Sequence, residues 1–465
     1  MTVTELGLDE LRKAMTGAVA GPEAAEFTTS CSLFNSTVTR RPAAVALPES
    51  AADVAAAVRF ARDRGLDLSV RGGGHGYSGH CIAEAGLMID LARLNAVSVD
   101  PQARRARVGG GALLGVMDAA TQAHGLAVTC GQITHTGIGG LTLGGGIGWL
   151  TNLAGLSIDN LVSAAVVLAD GSIVRASAEE NPDLHWALRG GGGNFGAVTE
   201  FEFALHPVGP MVNVGLFFFG IADAPAALRV GRDLAATLPR DAGLQTVAAL
   251  NAPPAPFVPA EHHFALGTAL VVVGFGTPES HAALVERVRD TLTPLFELVT
   301  PMPYVALQSM FDAAAPWGVK AYSKGLLLRD YSDEAVDVLA SWLPRKTSPM
   351  SLCPMFPLNG AFHDVADDAT AFAGPRDAVI AVGVDAISMA EDAAFAADRE
   401  WARGLWEALL PYAAGPGGYV NFIVDSDDTL VRAAYGAKYP RLSSIKAAYD
   451  PDNVFRPNTN ILPAV

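Results

Sequence analysis

The residue with the clearest chemical potential is a histidine that follows three consecutive glycines, in the sequence Arg71-Gly72-Gly73-Gly74-His75. A neutral imidazole is a competent nucleophile, and histidine titrates near neutral pH. Glycines let a ligand approach the main chain closely, so this histidine can stand beside whatever the loop holds. The alternative is a polar turn residue that makes one hydrogen bond, and the position alone does not separate the two.

Glycine is concentrated in clusters, at residues 72–74, 137–148 and 190–196, within a total of 48 glycines. Successive backbone N–H groups in glycine-rich turns form concave sites that bind anions. Three such clusters, each after a strand-like segment, favour one large phosphate-bearing cofactor such as a dinucleotide. Turns and tight packing are the alternative for any single cluster.

A Rossmann site is excluded because its fingerprint is missing. That site needs G-x-G-x-x-G after a strand, at the start of a helix, with an acidic residue about 20 positions later. Gly137 and Gly139 are followed directly by Gly140, and the third glycine does not come at the required place. The nearest acid, Asp159, precedes another strand-like run. An NAD-dependent enzyme of that type is therefore not expected.

The elements before the first cluster form a predicted βαβ unit. Residues 43–47 read as a strand, and Ser50 caps a helix with Asp53 three positions later. Gly65 ends that helix, and residues 66–70 form the strand that leads into the histidine loop.

Later segments predict a hairpin and then a second α+β region. Asp170-Gly171 joins two short strands at 164–168 and 173–176. Beyond residue 207, apolar strands alternate with amphipathic helices whose N-caps are Thr277 and Ser332. The sequence pattern changes again near residue 415. We therefore expect three parts, a glycine-rich domain at 1–207, a middle domain at 208–414 and a C-terminal segment at 415–465.

Composition limits the class of protein and its partners. The chain has 465 residues, of which 50% are hydrophobic and 17% charged, so an ordered protein with a substantial core is expected. A formal net charge of −16 argues against nucleic acid and anionic membranes as partners. Four cysteines without a C-x-x-C pair indicate neither a disulfide scaffold nor a zinc site. The N-terminus lacks the pattern of a signal peptide, and a cytoplasmic protein is expected.

Several motifs, taken together and in order, resemble the vanillyl-alcohol-oxidase superfamily with its PCMH-type FAD-binding fold. They are RGGGHGYSGH, TGIGGLTLGGGIGWL, GLSIDN, NPDLHWALRGGGGNFGAVT and YDPDNVFRPNTNI. Within that superfamily the chain is similar to the berberine-bridge-enzyme-like oxidases, and most of all to bacterial polyketide-tailoring flavoenzymes of the enterocin type. The resemblance implies an α+β fold, with a two-part FAD domain and a substrate domain whose antiparallel sheet is covered by helices.

The resemblance implies that FAD is the cofactor and that His75 bonds covalently to the 8α-methyl carbon of the flavin. It assigns further residues to the cofactor cradle by position in the motifs. They are Arg71, Gly72, Gly73, Gly74, Gly76, Tyr77, Gly131, Ile133, Thr136, Gly137, Gly139, Gly140, Gly144, Gly145, Gly146, Asn160, Gly193, Asn194, Gly196, Val198, Tyr419, Asn421 and Asn458.

A second covalent link is not expected. Many relatives supply it from a cysteine in a G-x-C-x-x-(V/T)-G segment, and Ile133 stands at that place in this chain. Cys130 comes three residues earlier, which displaces it by about 10 Å in an extended chain. We therefore expect one link, through His75.

The resemblance also names candidates for catalysis. Thr136 stands where relatives gate oxygen access, and His135 precedes it; the alternative for Thr136 is an ordinary strand residue. Tyr419 and Asn421 match the Y-x-N motif, in which the tyrosine serves some relatives as a base. The alternative for Tyr419 is packing under the flavin. Asn458 and Asn460 are expected to close over the cofactor.

The base in the middle domain cannot be chosen from spacing. Pro354 takes the position of the glutamate that enterocin-type enzymes use, which puts that chemistry in doubt. The candidates for the base in this domain are Tyr304, Tyr322, Tyr331, His262, His263, Glu297 and Cys353.

These inferences predict an FAD-linked oxidase that oxidises a hydroxyl or related C–H of a small organic molecule, with O₂ as acceptor. Tailoring of a secondary metabolite, or an oxidative cyclisation, is favoured slightly over a catabolic sugar, alcohol or amine oxidase. A protein that binds FAD without turnover is the alternative from a different class. Covalent tethering argues against it, because a tether serves mainly to hold the cofactor and tune its redox chemistry. No metal is expected.

Overall fold

The computed structural model describes residues 7–389, 392–415 and 417–465. Strands and helices are named here in chain order. The strands β1 to β18 are Ala18–Ala20, Ala44–Leu47, Leu68–Arg71, Leu87–Asp90, Val97–Asp100, Arg105–Gly109, Leu126–Ala127, Leu161–Val167, Ile173–Ser177, Ala197–Ala204, His206–Pro207, Met211–Gly220, Ala242–Asn251, Leu266–Gly274, Phe296–Pro303, Lys320–Leu328, Cys353–Pro357 and Ile380–Ser388. The α-helices α1 to α15 are Leu8–Ala14, Ala25–Cys31, Ala51–Asp63, Leu114–Gln122, Ile138–Gly144, Thr151–Ala154, Pro182–Leu188, Ala224–Ala236, Pro278–Thr291, Tyr304–Gln308, Asp333–Trp342, Ala361–Asp364, Asp392–Leu409, Asp428–Tyr435 and Tyr439–Tyr449.

The first sheet contains the expected βαβ unit and holds the histidine loop at its edge. Its strand order is β1-β2-β4-β3, with β2, β4 and β3 parallel. Ser50 caps α3 by accepting the N–H of Asp53, as predicted. Asp53 itself accepts the N–H groups of Thr16 and Gly17, so it also fastens the N-terminal segment. Strand β3 ends at Arg71 and delivers the chain into the glycines.

A second sheet carries the other two glycine clusters on its flanking loops. Its order is β5-β6-β10-β8-β9, and each pairing is antiparallel. The predicted hairpin is the β8–β9 pair, which Asp170-Gly171 closes with Gly171 at φ +78°. The glycine cluster at 137–148 forms the short helix α5 and a following loop, because its glycines allow close backbone contacts.

The middle of the chain builds one seven-stranded sheet in the order β15-β12-β14-β13-β17-β18-β16. All its pairings are antiparallel, as expected for the substrate region. Helices α11 and α13 pack on one face through a core that includes Val382, Trp401 and Leu405. The opposite face of β16 and β18 is turned towards the loops of the first half of the chain, which is where a site can form.

The C-terminal segment is fastened to the glycine-rich half by buried polar contacts. Lys446 lies in α15, is fully buried and donates to Asp450 and to the carbonyls of Asn194 and Phe455. Two charges buried together require this kind of saturation to be tolerated. No helix in the described part of the chain is long and apolar enough to cross a membrane.

Candidate functional site

The histidine loop is shaped by an ion pair at its base. Arg71 is at the end of β3, and its guanidinium lies 3.2 Å from the Asp90 carboxylate at the end of the parallel strand β4. Both side chains are nearly buried, at 11% and 3% exposure. Gly74 has φ +69°, and a Cβ there would lie 2.9 Å from the Arg71 guanidinium. The chain therefore turns sharply over Arg71 and presents His75 at the tip of the loop.

His75 meets a second histidine at that tip. Its Nε2 lies 2.6 Å from Nδ1 of His135, which comes from the loop that precedes α5. Phe34 stacks on His75 with 4.4 Å between ring centroids, and Trp317 contacts both imidazoles. Burial, together with the nearby His135 and Arg71, lowers the pKa of His75 to about 3. The ring is therefore neutral at physiological pH, the form in which an imidazole nitrogen is nucleophilic.

The predicted glycines divide into two groups by what surrounds them. A Cβ at Gly76, Gly140 or Gly193 would meet nothing within 4 Å, and at Gly72 it would meet only a carbonyl oxygen at 3.5 Å. These positions border open space. The remaining cradle glycines allow protein segments to approach each other. They are Gly73 and Gly137 against each other, Gly74 against Arg71, Gly131 against Leu141, Gly139 against Gly110, Gly144 against Asn421, Gly145 against Tyr419, Gly146 against Ser157, and Gly196 against Val166 and Val167.

Residues in and beside the glycine motifs fit a large polar cofactor. Buried side-chain nitrogens of Arg71 and Gln132 and the hydroxyl of Thr142 find no hydrogen-bond partner among the described residues. Unpaired buried polar groups are costly in a protein, so their partners are expected on a bound ligand. The open glycine faces offer the close backbone approach that a pyrophosphate needs. The cradle therefore accommodates FAD.

Two predicted site residues, Tyr419 and Asn421, bind the glycine helix α5 and the loop that follows it. The Tyr419 hydroxyl accepts the N–H of Gly146 and the Nδ2–H of Asn421, each at 2.8 Å. Asn421 also donates to the carbonyl of Leu141. Burial raises the pKa of Tyr419 to about 12. This geometry corresponds to the packing alternative for Tyr419, because the hydroxyl is occupied and poorly suited to accept a proton near neutral pH.

Three asparagines assigned to the cradle are instead used inside the protein. Asn160 donates to two carbonyls and receives a bond from His206. Asn194 donates to Gly191 and Thr459 and accepts the N–H of Ile461, so it anchors the C-terminal segment. Asn458 donates to Ile423. These side chains differ from the expectation of direct cofactor contact, because backbone groups in tight loops take their polar atoms.

The other predicted positions have varied surroundings. Tyr77 stacks on Phe34 at 5.6 Å, two residues after His75 in the chain. The carbonyl of Thr136 accepts the N–H of Leu114, which fixes the loop beside Gly73. Val198 is buried in the core of the five-stranded sheet rather than at the loop surface. Asn460 has a buried side-chain oxygen without a partner in the described residues.

The strongest candidate that sequence reasoning missed is Asp385. It faces Ser323 directly across β16 and β18, and the Ser323 hydroxyl donates to its Oδ1 at 2.5 Å. Burial raises the pKa of this carboxyl to about 6. The signal was available, since Asp385 is the one charged residue of the apolar strand Ile380–Ser388. A buried acid with a shifted pKa is typical of functional sites.

Strand register places this pair between the two parts of the site. One step along the same face, Ala321 and Ile387 pack with Phe34 and Tyr77 of the histidine side. In the other direction, Gly325 and Gly383 lie under Phe422, and the buried Tyr419 comes three residues before Phe422 in the chain. Burial raises the pKa of Tyr77, and the nearby Asp385 charge raises it further. Asp385 therefore lies on the floor of the space between His75 and Tyr419.

The middle-domain candidates from the sequence lie elsewhere. Tyr322 bonds to Asp425 on the opposite face of β16, and Cys353 is buried in the helix-covered core. Glu297 pairs with Arg289 near the surface, and His262 stacks near Phe296. Tyr304 lies in the core beneath β12, Tyr331 packs against the helices, and His263 bonds to the carbonyl of Val258. Pro354 lies on the site face, against Gly383. The described residues contain no cluster of three or more metal-ligating side chains.

Comparisons with known proteins match this picture. Residues 42–177 match the family model described as FAD binding domain, and residues 418–462 match the one described as Berberine and berberine like. The (R)-6-hydroxynicotine oxidase of Paenarthrobacter nicotinovorans is 29% identical over 459 residues, which cover 96% of this chain and 97% of that protein.

Solved structures of two oxidases share the fold over their whole length. The 6-hydroxy-D-nicotine oxidase from Arthrobacter nicotinovorans has a TM-score of 0.84 at 26% identity, covering 97% of this chain and 98% of that one. Glucooligosaccharide oxidase from Acremonium strictum, which carries a 6-S-cysteinyl, 8α-N1-histidyl FAD, has a TM-score of 0.85 at 26% identity and 98% coverage of both chains. The predicted α+β fold and the resemblance are confirmed. The chain carries the FAD-binding and berberine-like domains, its homologues are FAD-linked oxidases of the VAO/PCMH type that include berberine-bridge-enzyme-like structures, and FAD is its cofactor.

Proposed function

We propose that the protein is an oxidase that removes two electrons from a carbon bearing a hydroxyl or an amine in a small organic molecule. FAD is held by a single covalent bond to His75, and dioxygen takes the electrons from it. The observation that carries the proposal is the Ser323–Asp385 pair on the floor of the site, within the same face as the residues that pack against the histidine loop.

Asp385 is the proposed base. With a pKa of about 6 it is mostly ionised at neutral pH and still basic enough to take a proton from a substrate hydroxyl. The Ser323 hydroxyl donates to one oxygen and leaves the other oxygen for the substrate. FAD supplies the two-electron acceptor when it is bound. Removal of the hydroxyl proton by Asp385 favours the oxidation because the electron pair left on that oxygen stabilises the electron-poor carbon as the C–H bond breaks.

The surroundings favour a compact and largely apolar substrate. Pro354 and Phe422 lie against Gly383, two residues before Asp385 on the same strand, and Phe356 packs near Phe422. Phe34 and Trp317 lie on the histidine side. Ser323 and Asp385 are the polar side chains that β16 and β18 contribute to this face. A few placed polar groups in an apolar lining are typical of small-molecule sites, and a longer sugar chain would need more hydrogen-bond partners. These features support a tailoring oxidase that acts on an aromatic or polyketide-like alcohol.

The catabolic alternative has specific support from relatives that are named for nicotine and oligosaccharide oxidation. Anaerobic mixing with a panel of aromatic alcohols, cyclic amines and oligosaccharides tests the assignment, with bleaching of the flavin absorbance as the readout. We expect bleaching by members of the first class and recovery of the yellow colour, with hydrogen peroxide, on admitting air. Bleaching by oligosaccharides alone would contradict the substrate class, and a colour that no compound bleaches would favour a protein that binds FAD without turnover.

Asp385→Asn is the matched variant, because it keeps the shape and the bond from Ser323. Bleaching by the best substrate is expected to slow by about 100-fold or more, the usual effect of removing a general base. Asp425→Asn, on the other face of β16, is the control and is expected to leave that rate unchanged. An unchanged rate in Asp385→Asn would remove this residue from the mechanism.

A further inference from the structure

The contact between His75 and His135 has a chemical consequence beyond holding the loop. Two imidazole nitrogens 2.6 Å apart are joined by one hydrogen bond, so one ring donates and the other accepts. When Nε2 of His75 carries the proton and donates to Nδ1 of His135, the Nδ1 of His75 keeps its lone pair. When the roles are reversed, the proton of His75 sits on its Nδ1 and that atom cannot act as a nucleophile.

His135 is well fixed for such a role. The residue before it, Thr134, is bonded through both its N–H and its hydroxyl to the Asp312 carboxylate, which belongs to the segment between α10 and β16. The carbonyl of Thr134 accepts the N–H of Gly115, and that of Thr136 accepts the N–H of Leu114. Hydrogen bonds therefore hold the residues on both sides of His135 in place, and Trp317 packs on its ring with 5.8 Å between the centroids.

His75 is equally constrained and is neutral. Phe34 stacks on one side of the ring, and Trp317 stands edge-on at 5.5 Å. The lowered pKa of His75 means that no solvent proton occupies its second nitrogen at neutral pH. The choice of the reactive nitrogen is thus left to the single hydrogen bond with His135. A second group that orients a nucleophile in this way is the usual arrangement in nucleophilic catalysis.

We propose that His135 is the residue that directs covalent attachment of the flavin, by accepting the Nε2 proton of His75 so that Nδ1 of His75 bonds to the flavin 8α carbon. This inference rests on the proposed covalent bond to His75. In the net step a bond forms between Nδ1 and the 8α carbon, a C–H bond of the methyl group breaks and the Nε2–H bond breaks. The two protons and two electrons leave to dioxygen as the oxidant, which becomes hydrogen peroxide.

The experiment follows attachment directly and does not depend on turnover. The protein is produced in cells starved of riboflavin, purified without FAD and mixed with FAD in air. Covalent flavin is then measured over time by fluorescence of the denatured protein and by the mass of the peptide that contains His75. Flavin bound before denaturation is measured separately by gel filtration, so loss of binding and loss of attachment are distinguished.

Four variants define the expected result. His135→Ala is expected to bind FAD but to attach it about 100-fold more slowly, and added imidazole is expected to restore much of the rate. His135→Gln keeps a hydrogen-bond acceptor but cannot take the proton, so it is expected to be slow as well. His80→Ala, at an exposed histidine five positions from His75, is the control and is expected to match the wild type. His75→Ala is expected to bind FAD without attachment.

Different failures have different meanings. If the wild type holds no covalent flavin, or if His75→Ala still holds it, the proposed bond through His75 is wrong and this inference falls with it. If attachment needs His75 but His135→Ala attaches FAD at the wild-type rate, only the role of His135 is overturned. Slow attachment that imidazole does not restore, together with weaker FAD binding, would also overturn that role in favour of a structural one.

Discussion

The Cys130 thiol lies 3.5 Å from Oδ1 of Asp118, so this cysteine is turned into the interior and away from the histidine loop. Gln308 of α10 completes the cluster by donating to both the Asp118 carboxylate and the Cys130 sulfur at 3.0 Å. All three side chains are buried. The cluster joins α4 to α10 across the two halves of the chain, and this structural role agrees with the expectation of a single flavin link.

The position of Ile133 gives a direct test of the missing second link. In a His75→Ala background, Ile133→Cys is expected to restore covalent flavin to part of the protein, because residue 133 occupies the place of the linking cysteine in relatives. Fluorescence of the denatured protein is the measurement. Cys130→Ser in the wild-type background is the matched control and is expected to leave the amount of covalent flavin unchanged. Covalent flavin that depends on Cys130 would contradict the single-link assignment.

Burial of Asp118 predicts a pH dependence of stability. Its pKa is raised to about 7, so the folded state holds a proton that the unfolded chain releases between about pH 4 and pH 7. The free energy of unfolding contributed by this group therefore falls as pH rises through that window, by roughly 2–4 kcal/mol. Asp118→Asn is expected to flatten that part of the pH profile in denaturant unfolding. A profile as steep as that of the wild type would show that another group is responsible.

Much of the scaffold followed from local sequence. The cap at Ser50, the Asp170-Gly171 hairpin and the strands at 212–219 and 245–250 are all present, because caps, turns and apolar periodicity act within a few residues. The motifs of the first half also led correctly to FAD. Local patterns of this kind need no knowledge of which elements meet in space.

The floor of the site could not be predicted in the same way. The Ser323–Asp385 pair depends on the register between strands that are about 60 residues apart in the chain. The contact between His75 and His135 likewise depends on two separate loops that meet only in the folded protein. The side-chain contacts of Asn160 and Asn194 could not be predicted for a related reason, since the carbonyls that engage them meet them only after folding. The sequence shows the residue types and their spacing along the chain, whereas the pairing of distant strands and loops decides which side chains meet.

The Ser323 hydroxyl is expected to tune Asp385. Its hydrogen bond stabilises the carboxylate and lowers the pKa, against the burial that raises it. Without that hydrogen bond the pKa of the Asp385 carboxyl rises. Ser323→Ala should therefore move the acidic limb of the kcat/KM profile to higher pH. Asp385→Asn should lose activity and raise the melting temperature above pH 6, because a costly buried charge is removed. An acidic limb that stays in place in Ser323→Ala would contradict the assignment.

Tyr419→Phe separates the two alternatives for the Y-x-N tyrosine. The variant keeps the ring against Phe372 and Phe422 but leaves the N–H of Gly146 without its acceptor. A buried unpaired N–H costs about 1–3 kcal/mol, so the melting temperature is expected to fall. If Asp385 is the base, the rate of flavin bleaching should stay within about tenfold of the wild type, whereas loss of a base would lower it by about 100-fold or more.

Tyr435→Phe provides the comparison for that measurement. Tyr435 is also buried, and its hydroxyl bonds to the carbonyl of Gly190 rather than to Gly146 in the loop after α5. Both variants remove one buried phenol hydroxyl, so a general loss of stability should affect them alike. A bleaching rate that falls about 100-fold in Tyr419→Phe and not in Tyr435→Phe, at matched fractions of folded protein, would return the role of base to Tyr419, because a general loss of stability would not explain that difference.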